Sequence, residues 1–109
     1  MTIERIISVT FKDNIDKKTK EKFFDGIEKL SQLFKQEVNM TMHHSTLKNY
    51  EGNLSTAVDR SHYADCVSIW RFKEEASLEG FLNDSRHKEI AKDHFKDAVA
   101  TRTVINIRK

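Results

Sequence analysis

The spacing of hydrophobic residues changes near Asp16, and this change constrains the fold more than any other feature of the sequence. Residues 3–11, IERIISVTF, alternate as a strand does. One face of this strand carries apolar residues and one arginine: Ile3, Arg5, Ile7, Val9 and Phe11. From residue 17 the apolar residues of KKTKEKFFDGIEKLSQLFKQ recur at three- and four-residue steps. That spacing predicts a long helix, capped by Asp16, with one buried stripe. Gly26 inside it costs about 1 kcal/mol relative to alanine, which predicts a close approach by another element.

The same periods continue to the end of the chain. Strands are predicted at 38–45, 63–72 and 101–107, and helical patterns at 74–84 and 85–99. Residues 46–61 are polar and without a period, so they predict a long loop, of a kind that is often functional. The chain has no proline and three glycines, which disfavours a many-stranded all-β fold.

The resulting order, β-α-β-β-α-β, predicts one α+β domain over residues 1–109. Its fold class is ferredoxin-like, an antiparallel four-stranded sheet with the helices on one face. Right-handed crossovers place both helices on the same side and leave the other sheet face open. That face carries Ile6 and Thr10, and we expect a second copy of the chain to cover it, forming a homodimer.

Composition excludes several classes of protein. Glu4 and Arg5 interrupt any apolar leader, and no apolar run approaches the roughly 18 residues of a membrane helix, so no membrane association is expected. The single cysteine suits a cytoplasmic protein. The 19 basic and 17 acidic residues are well mixed, whereas nucleic-acid binders concentrate positive charge, so no nucleic-acid partner is expected.

Two stretches resemble a known family. IERIISVTFKDNIDKKTKEKFF and FKEEASLEGFLNDSRH resemble the stress-responsive dimeric α/β-barrel (Dabb) family, in which a hydrophobic–Phe–Lys–Asp strand precedes a long helix. Members also carry an aromatic residue six positions before a histidine, here Phe81 and His87. The resemblance runs from Ile3 to the last strand. It implies a homodimer whose two sheets face one another as a barrel, with a role in stress response or without an assigned activity.

One plant member of that family is a cofactor-free polyketide cyclase, which uses the helix histidine together with a tyrosine and a strand-one histidine. His87 matches the helix histidine, so the resemblance makes it a candidate catalytic base that needs no cofactor. The tyrosine position is Phe81 here, and the strand-one histidine position is Arg5. The family's frequent proline two residues before the histidine is Ser85. These differences count against cyclase chemistry.

The strand ending at Phe72 is also one residue longer than is usual, which allows a bulge near Trp70.

The resemblance implies a pocket between the sheet and the helices, which we expect to hold a small hydrophobic ligand. Its predicted ligand-binding residues are Arg5, Ile7, Val9, Phe24, Ile27 and Phe81. A charge on the helix-facing side of strand one needs a carboxylate, the pocket mouth or an anionic ligand. If Asp84 caps the last helix, His87 lies in its first turn with the ring towards the pocket. The alternative is a structural role, in which His87 fastens the long loop.

No metal site is expected. His43 and His44 point to opposite faces of a strand, and His87 and His94 lie about 10 Å apart along a helix. Related barrel monooxygenases combine a strand tryptophan, a helix histidine and a strand-one asparagine. Trp70 and His87 match the first two, but strand one here contains no asparagine. Cys66 lies inside a strand, where packing is the expected role. Three functions therefore stay open: a binding protein, a cofactor-independent enzyme of polyketide-cyclase type, and, least favoured, a monooxygenase.

Overall fold

The order of strands and helices is the one that the hydrophobic periods predict. The computed structural model describes residues 1–45 and 63–109, so the predicted loop at 46–61 lies outside the described residues. The elements are β1 (Ile3–Phe11), α1 (Lys17–Leu33), β2 (Val38–His44), β3 (Cys66–Phe72), α2 (Glu75–Asn83), α3 (Ser85–Ile90), a π-helical segment (Ala91–Phe95) and β4 (Val99–Arg108). The predicted helix over 85–99 therefore ends earlier, because residues 96–98 form a turn and Val99 already belongs to β4.

The four strands form one antiparallel sheet in the order β2-β3-β1-β4. This is the predicted ferredoxin-like arrangement. The allowance for a bulge near Trp70 is wrong, because β3 pairs in continuous register with both of its neighbours. The register shifts instead between Thr10 and Phe11, where β1 pairs with β4. Arg5 lies opposite Trp70 on one side and Asn106 on the other, so these side chains share the sheet face that the helices cover.

Helix α1 supplies one wall of the core. Asp16 caps it as predicted, accepting a hydrogen bond from the Thr19 backbone N–H at 2.7 Å. Its buried stripe consists of Phe23, Gly26, Ile27 and Leu30. Leu30 is almost completely buried, as are Trp70 and Phe72 of β3, which belong to the same core cluster.

Gly26 lies where the π-helical segment crosses α1, which confirms the predicted close approach. A Cβ atom at this position would lie 2.5 Å from Cβ of His94 and 2.8 Å from Cε1 of Phe95. Nδ1 of His94 lies 2.8 Å from the carbonyl oxygen of Lys22, so His94 joins the two elements. This hydrogen bond to α1 gives His94 a structural role, which is to hold the π-helical segment against the helix.

The second sheet face carries an isoleucine row. Ile6 lies opposite Ile69 of β3 and Ile105 of β4, so the three side chains cross the middle of the sheet. Ile105 is 53% exposed. The helices pack on the other side, as right-handed crossovers require. None of the helices within residues 1–45 and 63–109 is long and apolar enough to cross a membrane.

Candidate functional site

A cavity of about 490 Å³ lies between the sheet and the helices. Every strand and helix except β2 contributes to its wall. Most of the predicted site residues line it: Arg5, Ile7, Val9, Ile27, Phe81 and His87. They come together because strand alternation and the helix stripe both direct them into the space between the two layers.

Phe24 is the predicted residue that does not line the cavity. Successive helix positions point about 100° apart, and it is the preceding Phe23 that faces the cavity. The Phe24 ring lies 4.5 Å from the His44 ring and 5.8 Å from Phe11, at the neighbouring end of the sheet. It therefore packs the core beside the cavity.

Several lining residues were missed by the sequence analysis. They are Ser68 on β3, Lys88 on α3, Lys96 after the π-helical segment, and Arg102 on β4. Alternation with Trp70 would have identified Ser68. The lysines and Arg102 needed the strand register and the helix crossing, which no local pattern provides.

His87 occupies the predicted place in the first turn of α3. The cap is as expected, since Asp84 accepts a hydrogen bond from the Arg86 backbone N–H at 2.8 Å. The imidazole ring lies 4.3 Å from the Phe81 ring, so the two side chains form one wall of the cavity. Nδ1 of His87 lies 2.8 Å from the Phe81 carbonyl oxygen. Because a carbonyl oxygen can only accept, Nδ1 carries the hydrogen, and in the neutral ring Nε2 holds the lone pair.

The electrostatic surroundings favour the neutral form of His87. Burial lowers its pKa, and the charges of Arg5 and Arg102 lower it further. The hydrogen bond to Phe81 and the carboxylate of Asp84 act in the opposite direction, and the net shift is downward. At pH 7 the ring therefore presents an unprotonated Nε2.

Arg5 faces the helices, as strand alternation predicts, and is 8% exposed. Its Nη1 donates a hydrogen bond to Oδ1 of Asn106 at 3.1 Å. Its Nε is buried and has no hydrogen-bond partner among the described residues. Burial, with the charge of Arg102, lowers the pKa of the guanidinium. The described residues thus give Arg5 an amide and no carboxylate.

The polar groups of Trp70 and Cys66 are not available for chemistry, because the indole N–H is hydrogen-bonded and the thiol is buried. The indole N–H of Trp70 donates to Oγ of Ser68 at 2.8 Å, and its ring lies 5.4 Å from Phe81. Burial, with the charge of Asp65, raises the pKa of the Cys66 thiol to about 11, so it stays protonated. Within the part of the chain that the structure describes, no three His, Cys, Asp or Glu side chains cluster as a metal site would require.

The sequence as a whole fits one family. The family profile of the Stress responsive A/B Barrel Domain, Dabb, matches residues 3–108. The chain belongs to this family. No curated protein matches it.

Solved structures share the fold of this Dabb domain at low sequence identity. A dimeric ferredoxin-like protein of unknown function from Thermobifida fusca is 12% identical, with a TM-score of 0.75 over 100% of this chain and 92% of that one. A Dabb family protein from Mesorhizobium loti is 10% identical, with a TM-score of 0.74 over 99% and 96% of the chains. A hydroxynitrile lyase from Passiflora edulis is 16% identical, with a TM-score of 0.75 over 97% and 91%. At these identities the likeness establishes the fold.

The pKa of His87 gives a first testable expectation for this Dabb domain. We expect the folded protein to titrate His87 below 6.5, its ordinary value. Between the folded and the unfolded pKa of His87, the unfolded chain binds more protons. The free energy of unfolding therefore decreases as the pH falls below 6.5, and His87 does not change it above that pH. Titration of the His87 ring by NMR measures the shift, with His87→Gln assigning the resonance. The same variant should lose less stability than wild type between pH 7.5 and 5.5. A midpoint at or above 6.5 would contradict the description.

Proposed function

We propose that this Dabb domain is a homodimeric binding protein whose cavity holds a small, mostly apolar molecule. The observation that carries the proposal is the cavity itself. Protein interiors are close-packed, and voids larger than a water molecule are few. A space of about 490 Å³ between two packed layers lies within the range of small-molecule sites, about 300–1,000 Å³. Its apolar walls include Ile27, Leu30 and Phe81.

The homodimer is supported by the open sheet face and by relatives. No helix among residues 1–45 and 63–109 covers the isoleucine row, and contiguous apolar surface of this kind marks an interaction site. The similar protein from Thermobifida fusca is described as dimeric. Two such sheets facing each other give the barrel for which the family is named. We place the protein in the cytoplasm, where a free thiol such as Cys66 persists, and in the stress response that the family description names.

Trp70 provides the test of the binding proposal, because it is the only tryptophan and it lines the cavity. A small-molecule library is screened against the protein by native mass spectrometry, and hits are titrated by Trp70 fluorescence. Ala91 also lines the cavity, and Ala91→Leu should lower the affinity for a hit about tenfold, since overpacking costs about 1–3 kcal/mol.

The matched control is Ala76→Leu, on the exposed side of α2. It should leave the affinity unchanged within about twofold, the usual size of a remote surface effect. Ligands that bind wild type and Ala91→Leu equally well, without changing Trp70 fluorescence, would show that the cavity is not the site.

A second candidate function is a cofactor-independent enzyme with His87 as its base. The specific observation in its favour is the engaged Nδ1 and the unprotonated Nε2 on the cavity wall. A proton from an acidic C–H or a phenol O–H of a bound molecule would pass to Nε2 and leave an anion on the substrate. The similar structure from Passiflora edulis is a hydroxynitrile lyase, so the fold accommodates an enzyme. Phe81 lacks the hydroxyl of the cyclase tyrosine, and for that reason binding without catalysis is the first proposal.

The enzyme candidate is tested with His87→Gln, because glutamine can keep a donor to the Phe81 carbonyl but cannot take a proton. The readout is exchange of the acidic C–H of phenylacetone with deuterated water, followed by NMR. Wild type should accelerate the exchange, and the variant should lose about a hundredfold of that acceleration. Equal rates for wild type and His87→Gln would eliminate His87 as a base.

We expect His87→Ala to cost at most about 1 kcal/mol of stability, because this half-buried first-turn side chain is not part of the packed core.

A further inference from the structure

The charged side chains that line the cavity all have the same sign. Arg5, Lys88, Lys96 and Arg102 contribute to its wall, and no Asp or Glu does so in the described part of the chain. Arg5 is buried, whereas the other three are exposed, so Arg5 lies inside and the others stand at the open side. An apolar cavity with only cations along its wall has a positive potential, which low-dielectric walls strengthen.

The arginines of the described residues divide into two groups. Arg71, Arg86 and Arg108, outside the cavity, each pair with a carboxylate at 3.3 Å or less. Arg5 and Arg102, which line the cavity, have no carboxylate partner among residues 1–45 and 63–109. The difference cannot come from a shortage of acidic residues, because the chain has 17.

Arg5 is the more informative of the two. A guanidinium presents five N–H donors, and a buried one without an acceptor costs free energy. Here Nη1 donates to an amide oxygen of Asn106, while Nε is buried with no acceptor in the part of the chain that the structure describes. Burial and Arg102 both make the charged form of Arg5 less favourable. An anion in the cavity would offset all of these costs together.

We infer that the molecule held in this cavity carries a carboxylate, which Arg5 binds while Arg102 attracts it at the open side. The inference rests on the proposed binding function and adds the chemical class of the ligand. A carboxylate matches the planar, two-pronged donor geometry of a guanidinium. The apolar wall formed by Ile27, Leu30 and Phe81 leaves room for a hydrocarbon or aromatic body behind that group. The ligand class is therefore a small hydrophobic carboxylic acid.

The experiment compares acids with their neutral primary amides, which match them closely in size. Octanoate and 4-phenylbutyrate are titrated beside octanamide and 4-phenylbutyramide at pH 7.5, with Trp70 fluorescence as the readout. Each acid should bind at least about tenfold more tightly than its amide, as a charge-assisted contact requires. Arg5→Met should remove this preference and leave amide affinity within about twofold.

Two arginine variants separate a local contact from general attraction. Arg102→Met should reduce the preference for the acids by about threefold, because its side chain is exposed. Arg108→Met is the matched control on the same strand; it lies outside the cavity wall and should have no effect. As a further readout, a bound acid should raise the pKa of His87 towards its ordinary value, because its charge opposes those of Arg5 and Arg102.

The outcomes distinguish the inference from the binding proposal. Acids and amides that bind wild type equally would overturn the carboxylate and leave the binding function in place. An acid preference that Arg108→Met lowers as much as Arg5→Met would also overturn it, since net charge would then explain the preference. If no probe of either series binds, both proposals fall. Thermal unfolding of each variant checks that it is folded.

Discussion

Gly26→Ala should lower the free energy of unfolding by about 1–2 kcal/mol, because the cost of overpacking exceeds the roughly 1 kcal/mol that alanine gains over glycine inside a helix. The added Cβ would lie 2.5 Å from Cβ of His94, closer than two non-bonded carbon atoms approach in proteins. Neither neighbour can turn aside freely, since His94 is bonded to the Lys22 carbonyl and Phe95 packs on Phe23 with ring centroids 5.2 Å apart. The π-helical segment would have to move off α1, and overpacking of this kind costs about 1–3 kcal/mol.

Chemical denaturation of wild type and variant measures this change. Gly80→Ala is the matched control, because nothing lies within 4 Å of a Cβ at this exposed position of α2. Alanine is the better helix former by about 1 kcal/mol, so this variant should be as stable as wild type or more so. The two substitutions thus have opposite expected signs. A Gly26→Ala protein as stable as Gly80→Ala would mean that the two elements do not pack as closely as described.

Gly26→Ala should also change the shape of the cavity. Phe95, one of the residues that would have to move, lines the cavity together with Ala91. Gly26 has no side chain to offer a ligand, yet it sets how closely one cavity wall approaches α1. A loss of binding in Gly26→Ala would accordingly reflect wall geometry, which makes it a poor choice for testing contacts.

The glycine was detectable from the sequence because it interrupts a strong helical stripe. Local patterns likewise predicted β1, α1 and the position of His87, since alternation, helix spacing and a capping aspartate each depend on neighbouring residues only. Arg5 was assigned its inward direction by the same means. These features require no knowledge of how distant segments meet.

The choice between Phe23 and Phe24 shows where local patterns stop. Both belong to the apolar side of α1, and which one faces the cavity depends on how the helix crosses the sheet. Arg102 shows the same limit in a strand. Its importance follows from lying opposite Val9, and that register is fixed by pairing across the whole domain. The single sign of charge around the cavity could therefore be recognised only in three dimensions.

Ile105→Glu should convert the proposed homodimer into monomers. Ile105 belongs to the isoleucine row on the open sheet face, and its 53% exposure in a single chain means that the substitution costs the monomer little. In a barrel the same carboxylate would be enclosed between two sheets without a partner, at a cost of several kcal/mol. Since about 1.4 kcal/mol changes an equilibrium constant tenfold, the dimer should weaken by more than a hundredfold.

Light scattering after size exclusion measures the assembly, with about twice the 12.8 kDa chain mass expected for wild type and a single chain mass for the variant. Leu33→Glu is the control, because it also introduces a carboxylate at an apolar residue, 39% exposed, but on α1. It should leave the dimer intact, since the helices lie on the outside of the barrel. If Leu33→Glu dissociates the protein and Ile105→Glu does not, the copies meet through their helices, and the facing-sheet barrel is wrong for this chain.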